Sequence, residues 1–186
     1  MQIIDYPMDG NHGEIHPKGN DFTDTGIPFI MASDIKDGVI NFKNCKFINK
    51  KQASTLRKGF SYEGDVLITH KATIGRTAIV PKLTAEYIML TPQVTYYRIK
   101  KPETLNNLFL KYYFNYKPFN KLIRLWSGAG STRAYIGITE QLNLTIRYFE
   151  IEKQKRIAKV LSDLDAKIGL NNKVNSKLES MTKLIY

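Results

Sequence analysis

Toward the end of the chain, apolar residues return every three or four positions: Ile157, Val160, Leu161, Leu164 and Ile168, then Val174, Leu178, Met181 and Ile185. That step puts them on one side of a helix and most charges on the other. Between Glu150 and Tyr186 there is no proline and one glycine, Gly169. The pattern predicts a rod, about 55 Å long if 150–186 is helical throughout at 1.5 Å per residue. So long and narrow a stripe cannot be buried against a small domain alone and needs another helix. Gly169, Asn171, Asn172 and Asn175 interrupt it. Either the asparagines lie in a helical seam, where buried polar residues set register and partner number, or the chain breaks there into two shorter helices.

Upstream the period shortens. Residues 27–35 (IPFIMASDI) and 38–48 (GVINFKNCKFI), with a turn at Asp37-Gly38, read as a β pair. KKQASTLRKG is a short basic helix or turn. The best-formed hairpin is GDVLITHKATIGRTAIVP, with arms at Val66, Leu67, Ile68 and Ala78, Ile79, Val80. Further strands are predicted at Tyr87–Leu90 and Gln93–Ile99. Between Glu103 and Trp126 the period turns helical. Leu105, Leu108, Phe109, Tyr112, Tyr113 and Tyr116 make one aromatic-heavy face, and Pro118 starts a second helix bearing Leu122, Ile123 and Trp126. Aromatics among lysines can stack on bases, but at this spacing the face is read as core. The first 26 residues, rich in glycine, proline and aspartate, read as loop.

Strands mixed with helices define an α+β domain, assigned to 1–149, followed by the long coiled-coil helix at 150–186. At 186 residues with a 42% hydrophobic fraction, the chain has material for one such core. No apolar run approaches a membrane span, the N-terminus lacks the pattern of a secretory signal, and Cys45 stands alone. A cytoplasmic protein is expected. The net charge of +11 is unevenly spread. Residues 1–35 carry one lysine against six acidic residues, and residues 36–133 carry eighteen basic against five acidic. An excess concentrated in the folded part favours a polyanion, most simply nucleic acid.

Catalytic motifs are mostly missing. There is no nucleophile elbow, no Cys–His arrangement and no dinucleotide fingerprint. No Pro-Pro occurs, as a DNA adenine methyltransferase motif would need, and no Glu-x-Lys. Asp-x-Lys occurs at Asp34-Ile35-Lys36 and at Asp165-Ala166-Lys167. His12 and His16 are separated by Gly13 and followed by Pro17, which disfavours a shared helical face for a metal. No metal site is expected.

Read in order, Gly26-Ile-Pro-Phe-Ile, Gly64-Asp-Val-Leu-Ile, Gly75, the run STRAYIGITEQLNLTI from Ser131, Glu152-Lys-Gln-Lys-Arg-Ile and Leu161-x-x-Leu-Asp-x-Lys-Ile, followed by the asparagine-rich run, carry a family resemblance. The chain resembles a target-recognition domain with its following helix from a type I restriction–modification specificity subunit. The resemblance implies a globular domain that reads half of a split site in double-stranded DNA. It also implies a helix that pairs antiparallel with a second helix as a ruler. In that family a DNA adenine methyltransferase subunit docks there, and a restriction/translocase subunit joins it. S-adenosylmethionine, ATP and Mg are used by those partners, and no cofactor is bound by the specificity chain, which is not an enzyme. Members usually carry two recognition domains and two helices, whereas this sequence has one of each. A homodimer reading a bipartite palindrome is therefore expected, with a different second half or an inactive remnant as alternatives.

Base and phosphate contacts are expected from the hairpin tip (Lys71, Thr73, Arg76) and from the glycine-flanked Ser131, Thr132 and Arg133. Lys50, Lys51, Arg57 and Lys58 are expected to grip phosphates. The dimer seam is expected at Ile157, Leu161, Leu164, Ile168, Val174, Leu178, Met181 and Ile185. Rival readings are a metal-dependent nuclease using His12, His16, Asp34 and Lys36, and a general RNA-binding or assembly protein.

Overall fold

A computed structural model describes residues 2–71, 73–128 and 134–185. Strands β1 (Met8–Asp9), β2 (Phe22–Thr23), β3 (Ile27–Ile30), β4 (Ile35–Lys36), β5 (Val39–Ile40) and β6 (Lys46–Ile48) precede helix α1 (Lys50–Thr55). Next come β7 (Phe60–Ser61), β8 (Val66–Thr69), β9 (Thr77–Ile79), β10 (Ile88–Leu90) and β11 (Val94–Tyr97). Helices α2 (Asn107–Asn115), α3 (Lys117–Trp126), α4 (Ile138–Leu142) and α5 (Ile151–Ile185) complete the order.

The strands form two main sheets, in the orders β1-β11-β8-β9 and β2-β6-β3-β10-β7, plus the small pair β4-β5. The named strand pairs are antiparallel except β3 and β10, which run parallel. The expected hairpin is present: Val66 faces Ile79, Leu67 faces Ala78 and Ile68 faces Thr77. The first expected pair resolves into two nested ones. A tight hairpin joins β4 to β5, and outside it β3 pairs with β6. Its turn carries positive φ at both Asp37 (52°) and Gly38 (79°), the conformation whose twist matches a two-residue hairpin.

The alternation along β8 explains the layers. Leu67 faces the five-stranded sheet and packs with Ile30, Ile88 and Leu90. Val66 and Ile68 face the other way, onto Phe109, Leu110 and Phe114 of α2 and Phe119 and Ile123 of α3. With both faces covered, the strand reads as a continuous apolar run. A third cluster, including Ile27, Phe29, Ile48 and Met89, packs Ala53 and Leu56 of the α1 region onto the far side of the five-stranded sheet. The helical aromatics thus serve mainly as core, although Tyr116 and Trp126 are exposed.

The loop reading of the first 26 residues needs correction. Met8–Asp9 adds an edge strand to β11, and Phe22–Thr23 pairs with β6. These segments gain order from pairing with distant strands, which local composition does not encode.

Helix α5 runs unbroken through Gly169 and the asparagines, so the two-helix alternative is not what forms. Its first turns belong to the domain: Ala158 is buried and Ile157 packs against the helical core. Gln154 is fully buried. Its Oε1 accepts from the Asn106 N–H at 3.0 Å, and its Nε2 donates to the carbonyls of Thr104 (2.8 Å) and Phe149 (2.6 Å). Gln141 acts alike, accepting from the Tyr97 hydroxyl at 2.8 Å and donating to the Ile136 carbonyl at 3.1 Å. From 163 to 183 every residue is exposed.

Replacing Gln154 by alanine leaves a buried N–H and two carbonyls short of partners. Gln154→Ala is expected to cost about 2–4 kcal/mol, read as a lowered midpoint in urea unfolding. A loss below about 0.5 kcal/mol would show that the bonds do not anchor α5.

Candidate nucleic-acid interface

The tip of the β8–β9 hairpin is a built loop. The Thr69 hydroxyl donates to the Thr73 carbonyl and accepts from the Arg76 N–H at 2.9 Å. The Gly75 N–H donates to the Thr69 carbonyl at 2.8 Å. Gly75 has φ of 88°, and a side chain there would run into Asn120 of α3. Glycine is needed for its backbone angle, and any larger residue would also have to displace the Asn120 amide.

Past the strand end, Lys71 forms an isolated bridge with Tyr135, and its ammonium lies 6.0 Å from that ring. The segment after α3 is tied back by Tyr135 N–H to the Ser127 carbonyl (3.0 Å) and Ile136 N–H to the His70 carbonyl (3.1 Å). Ser131, Thr132 and Arg133 lie outside the described residues, between these tied flanks in sequence.

A buried carboxylate organises the neighbouring surface. Asp9 is almost wholly enclosed, pairs with the Lys58 ammonium and sits 3.0 Å from His12 Nε2. Asn11 fastens the same loops, its Oδ1 accepting from Arg57 N–H at 2.9 Å and its Nδ2 donating to the Lys58 carbonyl at 2.6 Å. Arg57 and Lys58 are thereby held beside the N-terminal loop. A shallow hollow of about 310 Å³ lies on this side, lined among others by His12, His16, Lys71 and Gln93. Lys71 is exposed at its edge.

The expected contacts do not all gather here. Lys58 is committed to Asp9, and the Thr73 hydroxyl is enclosed. Arg76 points toward the β4–β5 hairpin, 3.4 Å from the Ile35 carbonyl. Lys50 lines a different hollow with Glu86 and Tyr87, and Lys51 is exposed on α1. Along α5, Ile157 and Leu161 are partly covered by the domain, whereas Leu164, Ile168, Val174, Leu178 and Met181 are about half exposed or more. The Ile185 side chain lies outside the described residues.

Asn11, His70 and Tyr135 escaped sequence reasoning, and Asp9 stood out there only as a carboxylate near the histidine pair. His70 could have been suspected, because it extends an apolar run at a strand end. It is buried, its Nδ1 lies 3.0 Å from the Ile136 carbonyl, and its Nε2 lacks a hydrogen-bond partner 3.8 Å from Asp9. Burial pushes its pKa below the ordinary 6.5 despite Asp9 nearby, so the ring is neutral and donates from Nδ1. Of the residues of the nuclease alternative, His12 lies against Asp9 and His16 Nδ1 lies 3.0 Å from the Asn11 carbonyl. The Asp34 carboxylate accepts from the Met31 N–H at 2.8 Å, and burial raises its pKa. Among the described residues no group of three or more His, Cys, Asp or Glu is placed to hold a metal ion.

Comparison with known proteins fixes the family. The sequence matches the type I restriction modification DNA specificity domain over residues 8–180, and the chain belongs to that family. Solved structures share the fold, among them the following three. One, from work on complex assembly and conformational transition of the type I R-M system, matches with TM-score 0.68 and 18% identity over 98% of this chain and 41% of that one. The HsdS subunit from Thermoanaerobacter tengcongensis gives 0.60 and 18% over 92% and 37%. The type I S subunit from M. genitalium gives 0.58 and 15% over 89% and 37%. This chain spans about two fifths of the length of those chains. No helix among the described residues is long and apolar enough to cross a membrane.

The lowered pKa of His70 has a pH signature. Above pH 6.5 the ring is neutral in folded and unfolded chains alike. Below it the unfolded chain takes up the proton first, so stability falls with pH until the folded-state pKa is passed, by at most about 1.4 kcal/mol per unit. His70→Gln is expected to flatten this part of a urea-midpoint titration between pH 7 and 5. Equal slopes in both proteins would clear His70 of the effect.

Proposed function

We propose that this chain is a DNA-reading half of a type I restriction–modification specificity subunit. Residues 1–149 recognise one part of a bipartite site in double-stranded DNA, and 150–186 pair with the same helix of a second copy. The chain performs no chemistry. It directs a DNA adenine methyltransferase subunit, which uses S-adenosylmethionine, and a restriction/translocase subunit, which uses ATP and Mg, and it works in the cytoplasm. The carrying observation is that the family match runs through both the domain and the projecting helix, residues 8–180. The cationic side chains of Arg57 and Lys71, the Lys71–Tyr135 contact and the hollow beside them support this reading. Lys71 beside an exposed tyrosine offers both a phosphate contact and a face for a sugar or base. Ser131, Thr132 and Arg133 are proposed as base readers. Lys51 and Lys50 are proposed as outlying phosphate contacts, with Arg76 on the side of the β4–β5 hairpin.

Selection of bound sequences from a randomised duplex library tests the proposal, with competition by structured RNA and a plasmid–magnesium incubation alongside. Enrichment of a defined site, preference for duplex DNA and intact plasmid are expected. Arg133→Ala is expected to cost about 1–3 kcal/mol and relax one base position. Lys71→Ala is expected to weaken all sequences alike and to lower the salt slope by about one. Absence of any enriched sequence would overturn the proposal, as would plasmid cleavage abolished by Asp34→Ala.

A further inference from the structure

Where α5 leaves the domain it carries one more tether, further out than Gln154. The Asp165 carboxylate accepts from the Tyr112 hydroxyl at 2.8 Å and lies 3.4 Å from the Lys111 ammonium, both on α2. Lys111 is itself 8% exposed, an unusual state for a lysine and one that leaves its charge few other partners. The β4–β5 turn helps to enclose it: a methyl group on Gly38 would come within 2.9 Å of the Lys111 ammonium. Burial, then the bond to Asp165, pushes the Tyr112 phenol above its ordinary pKa, so it remains a donor. Asp165 is the outermost α5 side chain bonded to the domain among the described residues.

We infer that Asp165 is a positioning residue that fixes the angle at which α5 projects, and thereby selects the gap between the two halves of the DNA site. The inference rests on the proposed bipartite reading. From Asp165 to Ile185 the helix extends about 30 Å. A tilt of 10° at the tether moves the far end by about 5 Å, more than the base-pair rise of about 3.4 Å. Gln154 and Ala158 hold the base of the lever, and they sit too close together to define its direction as sharply as a contact about two turns beyond Ala158. Asp165 touches no DNA in this scheme. It acts on spacing alone.

The test selects bipartite sites with randomised gap lengths, using the full chain. The parent is expected to prefer one gap over its one-base-pair neighbours by about tenfold. In Asp165→Ala that preference is expected to fall to about twofold, with the half-site bases unchanged. Asp165→Asn, which still accepts from Tyr112, should fall between. A second measurement needs no DNA: spin labels at Lys121→Cys and Glu179→Cys, in a Cys45→Ser background diluted with unlabelled chain. Their distance distribution is expected to broaden in Asp165→Ala. An unchanged gap preference or an unchanged distribution would overturn the positioning role. Failure of the parent to select any two-part site would instead overturn the bipartite reading beneath it.

Discussion

A helix is a stiff lever, and everything beyond its last anchor depends on how its base is held. In this chain the base is held by a fully buried glutamine, Gln154, which connects α5 to the start of α2 and to its own approach segment. Ala158 allows close contact with the helical core, since a larger side chain there would push the rod away. Past Leu161 the apolar stripe continues with its described residues exposed. Val160, Leu164, Ile168, Val174, Leu178 and Met181 are each about half exposed or more. An isolated helix of this length has no tertiary contact to hold it, and most helical stability in proteins comes from such packing. The exposed stripe is the basis of the proposal that α5 pairs with a second helix.

The same economy runs through the globular domain. The β8–β9 hairpin is buried on both faces, between the second sheet and α2, so its tip is presented by a rigid support. Asp9 and Asn11 come from the first strand and its loop, yet they hold the Arg57–Lys58 turn in place. The acidic N-terminal segment is thus a brace for basic loops. Its negative charge in sequence is partly cancelled in space.

Much of this architecture was legible in the residues. The 3.6-residue period named α5, and a glycine after aspartate named the β4–β5 turn, because both signals are local. The hairpin arms at Val66–Ile68 and Ala78–Ile79 were legible for the same reason. The parallel pairing of β3 with β10 was not, since the two strands are separated in sequence by about sixty residues and nothing local specifies the partner. The roles of Asp9 and His70 were missed because a buried polar group is recognised by what surrounds it, and their partners Lys58 and Ile136 are distant in sequence. Gln141 and Gln154 were seen as parts of a family pattern. Their physical role, satisfying backbone groups left open at helix ends and loops, required the fold. The glycine-flanked Ser131–Arg133 segment was singled out in the sequence and lies outside the described residues.

We propose that α5, fastened to its own domain at one end, pairs with a second copy along the rest. Light scattering after gel filtration tests it most directly, on the parent chain and on a variant carrying Leu164→Glu and Leu178→Glu. A mass near twice 21.4 kDa for the parent, falling to a single chain in the variant with the domain still folded, is the expected result. A parent that stays monomeric at high micromolar concentration, or a dimer untouched by both substitutions, would contradict it.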